Sequence, residues 1–396
     1  MVVAGRGRIS PNTSLFLLAS ILVSFVAAST APTPLYGIYQ ARWHFSPVTT
    51  TVVFAIYALA VLASLLTFGK LSDHLGRRPI LLVAIAVQML SLVIFIFANG
   101  VPALLAARVV QGLAAGAATG AVGAAMLDIN RARGTLANSI APGIGTGIGT
   151  LLSALLIQLL PAPTRLVYVV LLVVLLIQGL GVVLMPETVT RMKGALRSLR
   201  PEIKLPPAVR APLLAVAPVV FAVWALAGFF VALGPALVRA LMATSIVVGG
   251  LVLFVFSLFG VSAILLLRNA AARTVMHTAI SALILGMVIT VVSVTTESIF
   301  GFFVGLALGG VGFGGGFQGS VKTVMPLVEA HERSSVLSLL YIVCYVGFGL
   351  PAVIAGFLVV YAGGLLRTAN EYAVAVIVLA LIALLGLHRA RRTAGG

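Results

Sequence analysis

The chain is poor in charge, poorer still in acids, and almost without cysteine. Of its 396 residues 8% are charged, and only 8 are Asp or Glu against 25 Lys or Arg. Soluble globular domains carry about 25% charged residues, so a chain of this length cannot cover its surface with charge. With 61% hydrophobic residues and a mean hydropathy of +1.21, its outer surface must face an apolar solvent. A sequence pI near 11.3 would point to nucleic acid in a soluble protein. Nucleic-acid binders gather Lys and Arg on folded faces or tails, whereas here the cations punctuate long apolar runs. The expected partner is therefore a lipid bilayer and no nucleic acid. The one cysteine, Cys344, sits inside an apolar segment, which excludes a disulfide framework and a cysteine metal site. His44, His74, His277, His331 and His388 are scattered without metal-ligand spacing, and no phosphate-binding lysine signature is present. The expectation is no enzyme, no cofactor, no metal and no ATP-driven step.

What is present is a succession of apolar runs. A bilayer core about 30 Å thick takes about 20 apolar residues per helix. Runs between charge and proline breaks lie at 13–37, 48–69, 79–98, 102–127, 134–160, 164–185, 212–237, 244–267, 273–294, 298–325, 334–361 and 365–387. The spacing predicts an all-α integral membrane protein with twelve transmembrane helices. Twenty of the 25 cations fall in loops on the side of the N-terminus, Arg6, Arg191 and Lys204 among them. Arg42, Arg165, Arg239 and Arg367 fall on the other side, and Arg108 alone lies within a span. By the positive-inside rule both termini are expected in the cytoplasm, with the chain multi-pass in a plasma (inner) membrane.

The spans divide six and six about residues 186–211, which hold four prolines and six cations. The expected domains are 1–185 and 212–396, two six-helix bundles joined by a cytoplasmic linker at 186–211. Residues 133–156 (RGTLANS, then APGIGTGIGTLLSALL) and 333–358 (RSSVLSL, then YVGFGLPAVIAGFL) match loosely at an offset of about 200, as an internal duplication would.

Between the second and third spans stands GKLSDHLGRRP, Gly69 to Pro79. Gly69 and Gly76 suit a tight turn, and Asp73 can accept from a helix N-terminus or from Arg77. In type and spacing Gly69, Leu71, Asp73, Gly76, Arg77 and Arg78 resemble motif A of the major facilitator superfamily. The resemblance implies that an acid ending the fourth span joins this loop, a place Asp128 occupies, and that Gly69, Asp73, Gly76, Arg77, Arg78 and Asp128 form a conformational latch. RVVQGLAAG, from Arg108, resembles the R-x-x-x-G core of motif B, which implies a part for Arg108 in proton coupling. An Arg in hydrocarbon costs at least about 2.5 kcal/mol, so it faces a polar cavity, with Gln111 on the same helix face, or else snorkels outward. Pro142 and the alternating glycines from Gly143 match the exporters' motif C only in part, and close helix packing accounts for them equally well.

By this span map none of the eight acids lies mid-span. Many exporters of cationic drugs place a carboxylate in the cavity, so a lining drawn from Arg108, Gln111, Tyr36, Tyr57, Trp224, Phe313, Phe317, Gln318, Tyr341 and Tyr345 better suits neutral or anionic amphipathic solutes. The resemblance implies a monomeric secondary transporter similar to the drug-efflux proton antiporters, with a small-molecule substrate and a proton as partners. An importer or facilitator of sugars or small organic anions is the alternative, and a membrane sensor with a transporter fold a remote one.

Overall fold

The computed structural model describes residues 8–190, 192–201, 205–242, 245–329 and 332–394. Arg6, Arg191, Glu202, Lys204 and His331, named or counted above, lie outside them. The described chain is helical: α1 (Pro11–Thr30), α2 (Tyr36–Trp43), α3 (Pro47–Phe68), α4 (Leu71–Leu75), α5 (Arg77–Ile96), α6 (Val101–Ile129), α7 (Arg131–Leu159), α8 (Leu166–Leu184), α9 (Ala195–Ser198), α10 (Pro207–Met242), α11 (Ile246–Leu266), α12 (Ala272–Thr295), α13 (Ile299–Val324), α14 (Arg333–Tyr361) and α15 (Gly364–Ala394). Among the described residues, twelve of these helices are long and apolar enough to cross a membrane.

Helices are the expected answer to a solvent that donates and accepts no hydrogen bonds, because each satisfies its backbone internally. The first run departs from the simple picture. Expected as one span over 13–37, it ends as a helix at Thr30 and resumes at Tyr36, because Pro32 and Pro34 supply no backbone N–H and clash with a continuing helix. The linker stretch 186–211 contains the single turn α9, and α10 begins at Pro207, five residues before the expected 212.

Two compact units emerge: residues 1–43 with 56–201, and residues 44–55 with 202–396, so that α3 is shared between them. Within each unit the pairings repeat. In the first, α1 packs on α7, α5 on α6 and α5 on α8; in the second, α10 packs on α14, α12 on α13 and α12 on α15. The helices carrying the repeated sequence, α7 and α14, are each 29 residues long with a proline inside.

Close approach is set by small residues, since helices in hydrocarbon gain little from apolar contact alone. A Cβ on Gly145 of α7 would lie 2.6 Å from the Val23 carbonyl oxygen and 2.8 Å from Val26 Cβ on α1. Backbone cannot yield there, so Gly145→Ala should destabilise by about 1–3 kcal/mol through overpacking. Gly179, where the nearest atom is Ile85 Cγ2 at 3.6 Å, should accept Ala without loss and with a gain in helix propensity. Thermal unfolding of both variants in detergent tests this; equal midpoints would show that α1 and α7 have room to part.

Candidate functional site

The first constellation is built around the turn from α4 into α5. Gly76 adopts φ +104°, a left-handed backbone that favours glycine, and a Cβ there would come within 2.7 Å of Glu187 Oε2. The turn places Arg77 as the first residue of α5, where it is buried. Its Nε donates to Asp128 Oδ2 at 3.1 Å, and its Nη1 donates to Ser72 Oγ at 2.7 Å and to Asp73 Oδ1. One guanidinium thereby bridges two carboxylates from different helices. Thr188 Oγ1 adds a further bond to Asp128 Oδ2 at 3.1 Å.

Sequence reasoning missed Glu187, which completes this knot. Its Oε1 accepts from the Arg77 backbone N–H at 2.9 Å and its Oε2 from that of Arg78 at 3.1 Å, capping the otherwise unpaired N–H groups that begin α5. Arg78 returns the contact by donating through Nη2 to the Val183 carbonyl near the end of α8. Downstream, the Met192 N–H donates to the His74 carbonyl at 3.2 Å, and His74 Nδ1 lies 3.1 Å from the Lys193 carbonyl. The beginning of the linker is thus bound to the loop. The one available signal was an acid a few residues past a span whose neighbour opens with two arginines.

The second constellation lies near the other end of α6. Arg108 is 0% exposed, and its side chain turns into the bundle toward α1 rather than along the helix to the membrane surface. Its Nη1 donates to the Ser29 carbonyl at 2.7 Å and to Gln111 Oε1 at 2.6 Å, while Nη2 and Nε donate to Tyr36 Oη at 2.6 and 3.1 Å. Gln111 Nε2 donates to the Ala28 carbonyl at 3.1 Å. Ala28 and Ser29 are among the last residues of α1, whose carbonyls lose their helical partners when the prolines stop it. Arg108 and Gln111 supply those partners, and the negative end of the α1 dipole faces the buried cation. The rings of Tyr57, Phe95 and Tyr36 stand 5.2, 5.7 and 5.8 Å from Arg108 Cζ, adding cation–π attraction. The charge is accommodated without a carboxylate.

In the second unit the expected aromatics gather around Trp224 on α10. Its ring centroid lies 5.4 Å from Tyr345, 5.7 Å from Phe313 and 6.1 Å from Phe317, all mostly edge-on or tilted. Phe348, which the sequence did not single out, joins at 5.6 Å. The indole Nε1 is buried with no hydrogen-bond partner among the described residues. Gln318 turns away from this group, donating through Nε2 to the Ile264 carbonyl of α11 at 3.0 Å. Tyr341 lies one turn before Tyr345 on α14 and is not among the rings around Trp224. Among the described residues, no three His, Cys, Asp or Glu side chains are placed to hold a metal ion.

A family model described as the Major Facilitator Superfamily matches residues 16–296. A crystal structure of the nucleoside transporter NupG aligns over 95% of this chain and 100% of its own, with TM-score 0.73 and 13% identity. A bacterial homologue of the human lysosomal transporter Spinster, in an inward-facing and occupied conformation, aligns over 95% of this chain and 97% of its own, with TM-score 0.72 and 13% identity. An uncharacterized transporter of Rickettsia bellii (strain RML369-C) is 40% identical over 74 residues, and one of Rickettsia felis (strain ATCC VR-1525 / URRWXCal2) 41% identical over 74. The chain aligns with only 18% and 17% of the length of these two curated relatives.

The Glu187 cap carries its own prediction. Glu187→Ala should lower stability by about 1 kcal/mol, the ordinary worth of a helix N-cap, and Glu187→Gln, which keeps one acceptor, should lose less. An unfolding midpoint for the Ala variant equal to that of the unaltered protein would remove the cap from the account.

Proposed function

The chain belongs to the major facilitator superfamily, and from that premise we propose that it is a secondary transporter exporting small amphipathic molecules of neutral or anionic character. It works by alternating access as a monomer in the plasma membrane, with both termini in the cytoplasm and the proton gradient as its energy source. The observation that carries the substrate class is Arg108: a buried cation neutralised by carbonyls, a phenol and aromatic rings, with no carboxylate to trade for a cationic drug. The aromatic group around Trp224 supports the amphipathic part of the reading, since edge-on rings and a buried indole N–H suit a flat apolar solute bearing an acceptor.

The knot at Arg77 is proposed as the conformational latch. It ties together the ends of α4, α5 and α6 and the residues after α8, so that charge changes at Asp73 or Asp128 bear on four helices at once. The first unit has three acids, Asp73, Asp128 and Glu187, and all belong to this knot. Proton coupling through that unit therefore runs through the latch. Import of small organic anions, the rival reading, uses the same groups and differs in direction.

Dye efflux from cells, with and without a protonophore, tests the proposal. Efflux of neutral and anionic dyes should collapse with the proton gradient, and permanently dicationic dyes should be poorly exported. Rapid export of a dication would require a carboxylate in the path and would falsify the substrate class. Asp73→Asn and Arg77→Ala should each cut transport by at least about tenfold, the scale of one lost charge-assisted hydrogen bond, while membrane insertion stays normal. Unimpaired transport in both would dispose of the latch. Arg108→Ala should abolish transport by freeing the end of α1, and full activity would leave Arg108 a packing role only.

A further inference from the structure

The first unit keeps all its acids at one end. Its three acids lie in the knot, whereas Arg42, Arg108 and Arg165 lie toward the opposite end of the bundle. Arg108 and Asp128 stand 20 residues apart on one helix, about 30 Å. Arg42, in the last turn of α2, and Arg165, just before α8, form no ion pair among the described residues. Between them opens a cavity of about 140 Å³ lined by Tyr39, Arg42, Trp43, Asn99, Thr164 and Arg165.

The walls of this cavity are fixed from behind. Trp43 stacks on Tyr39 at 4.7 Å and 4°, Tyr39 Oη lies 3.1 Å from Tyr168 Oη, and Phe95, also in the lining, stacks on Tyr168 at 4.9 Å. The Arg108 guanidinium lies 5.7 Å from the Phe95 ring, so the third cation adds its field to the same place. Two non-glycine residues beside the lining take left-handed backbone: His44, next to Trp43, at φ 52°, and Ala162, two before Thr164, at φ 58°. Such conformations are unfavourable for L-residues and persist where surrounding structure holds them.

We infer that this cavity is a binding site for an oxyanion, a phosphate or carboxylate group. Arg42 and Arg165 provide planar forks of N–H donors suited to it, Asn99 and Thr164 provide neutral donors, and the Trp43–Tyr39 stack forms an apolar flank. Two sources present this chemistry, a free anion and the phosphodiester of an anionic lipid headgroup. The inference rests on the first unit alone and not on the export reading: binding without export, or export without binding, separates the two.

The chain has two tryptophans, Trp43 and Trp224, so in a Trp224→Phe variant Trp43 alone reports on the site. Inorganic phosphate titrated into protein in neutral maltoside detergent should change Trp43 emission saturably if the ligand is a free anion. If it is a headgroup, the change should come instead on adding phosphatidylglycerol to phosphatidylcholine nanodiscs. In either case Arg42→Gln with Arg165→Gln should weaken the half-saturation point at least about tenfold, the loss expected of a charge-assisted contact. Lys at both positions should restore part of it. As a check independent of Trp224→Phe, phosphate or phosphatidylglycerol should raise the unfolding temperature of the unsubstituted chain and not that of the double Gln variant. No response to either ligand in both readouts, or equal responses in the double Gln variant, overturns the site.

Discussion

In hydrocarbon an unpaired hydrogen-bonding group has no water to turn to, and the place where this constraint presses hardest is the end of α1. Two prolines stop the helix inside the bundle and strand its last carbonyls. An arginine and a glutamine from α6 take them up, and in doing so the arginine meets the negative end of a helix dipole. The broken helix and the buried cation thus satisfy each other. Either alone would cost several kcal/mol in lipid; together they fasten α1, α2 and α6 at one point.

The same economy governs the other end of the first unit. Arg77 is buried only because Asp73, Asp128 and Ser72 converge on it, and Glu187 can approach only because Gly76 has no side chain. Loop, helix ends and linker become one hydrogen-bonded piece. Ion pairs at an exposed surface are worth little, but a guanidinium this enclosed needs its partners, since removing one leaves a charge uncompensated. The three acids of the unit all stand in this knot, and the far end of the bundle, with Arg42, Arg108 and Arg165, carries cations alone.

Duplication is visible more clearly in packing than in residues. The two glycine-rich segments 133–156 and 333–358 share little beyond composition, yet α7 packs on α1 and α8 as α14 packs on α10 and α15. Small side chains at a helix crossing are interchangeable so long as they stay small, so the contact survives while the residues drift. In the second unit the stretch from α11 into α12 keeps Arg268 and Arg273 but has no acid and no glycine, and the aromatics gather instead, with Trp224 at the centre of four rings.

The sequence by itself determined the solvent, the number of spans and the likeness to a family, because each depends on local composition: 8% charge, runs of about 20 apolar residues, and an eleven-residue loop from Gly69 to Pro79. It also set Arg108 with Gln111, three residues apart on one helix, and Arg77 with Asp73, four residues apart across the turn at Gly76. Only the tertiary structure decided that Glu187 caps α5 across 110 residues, that Arg108 serves the end of α1, that Gln318 turns to α11 while Phe348 joins Trp224, and that Arg42 and Arg165 share a cavity. Those contacts are set by which helix lies beside which, and in a chain whose spans are nearly all Leu, Val, Ala and Gly no local pattern records the neighbour.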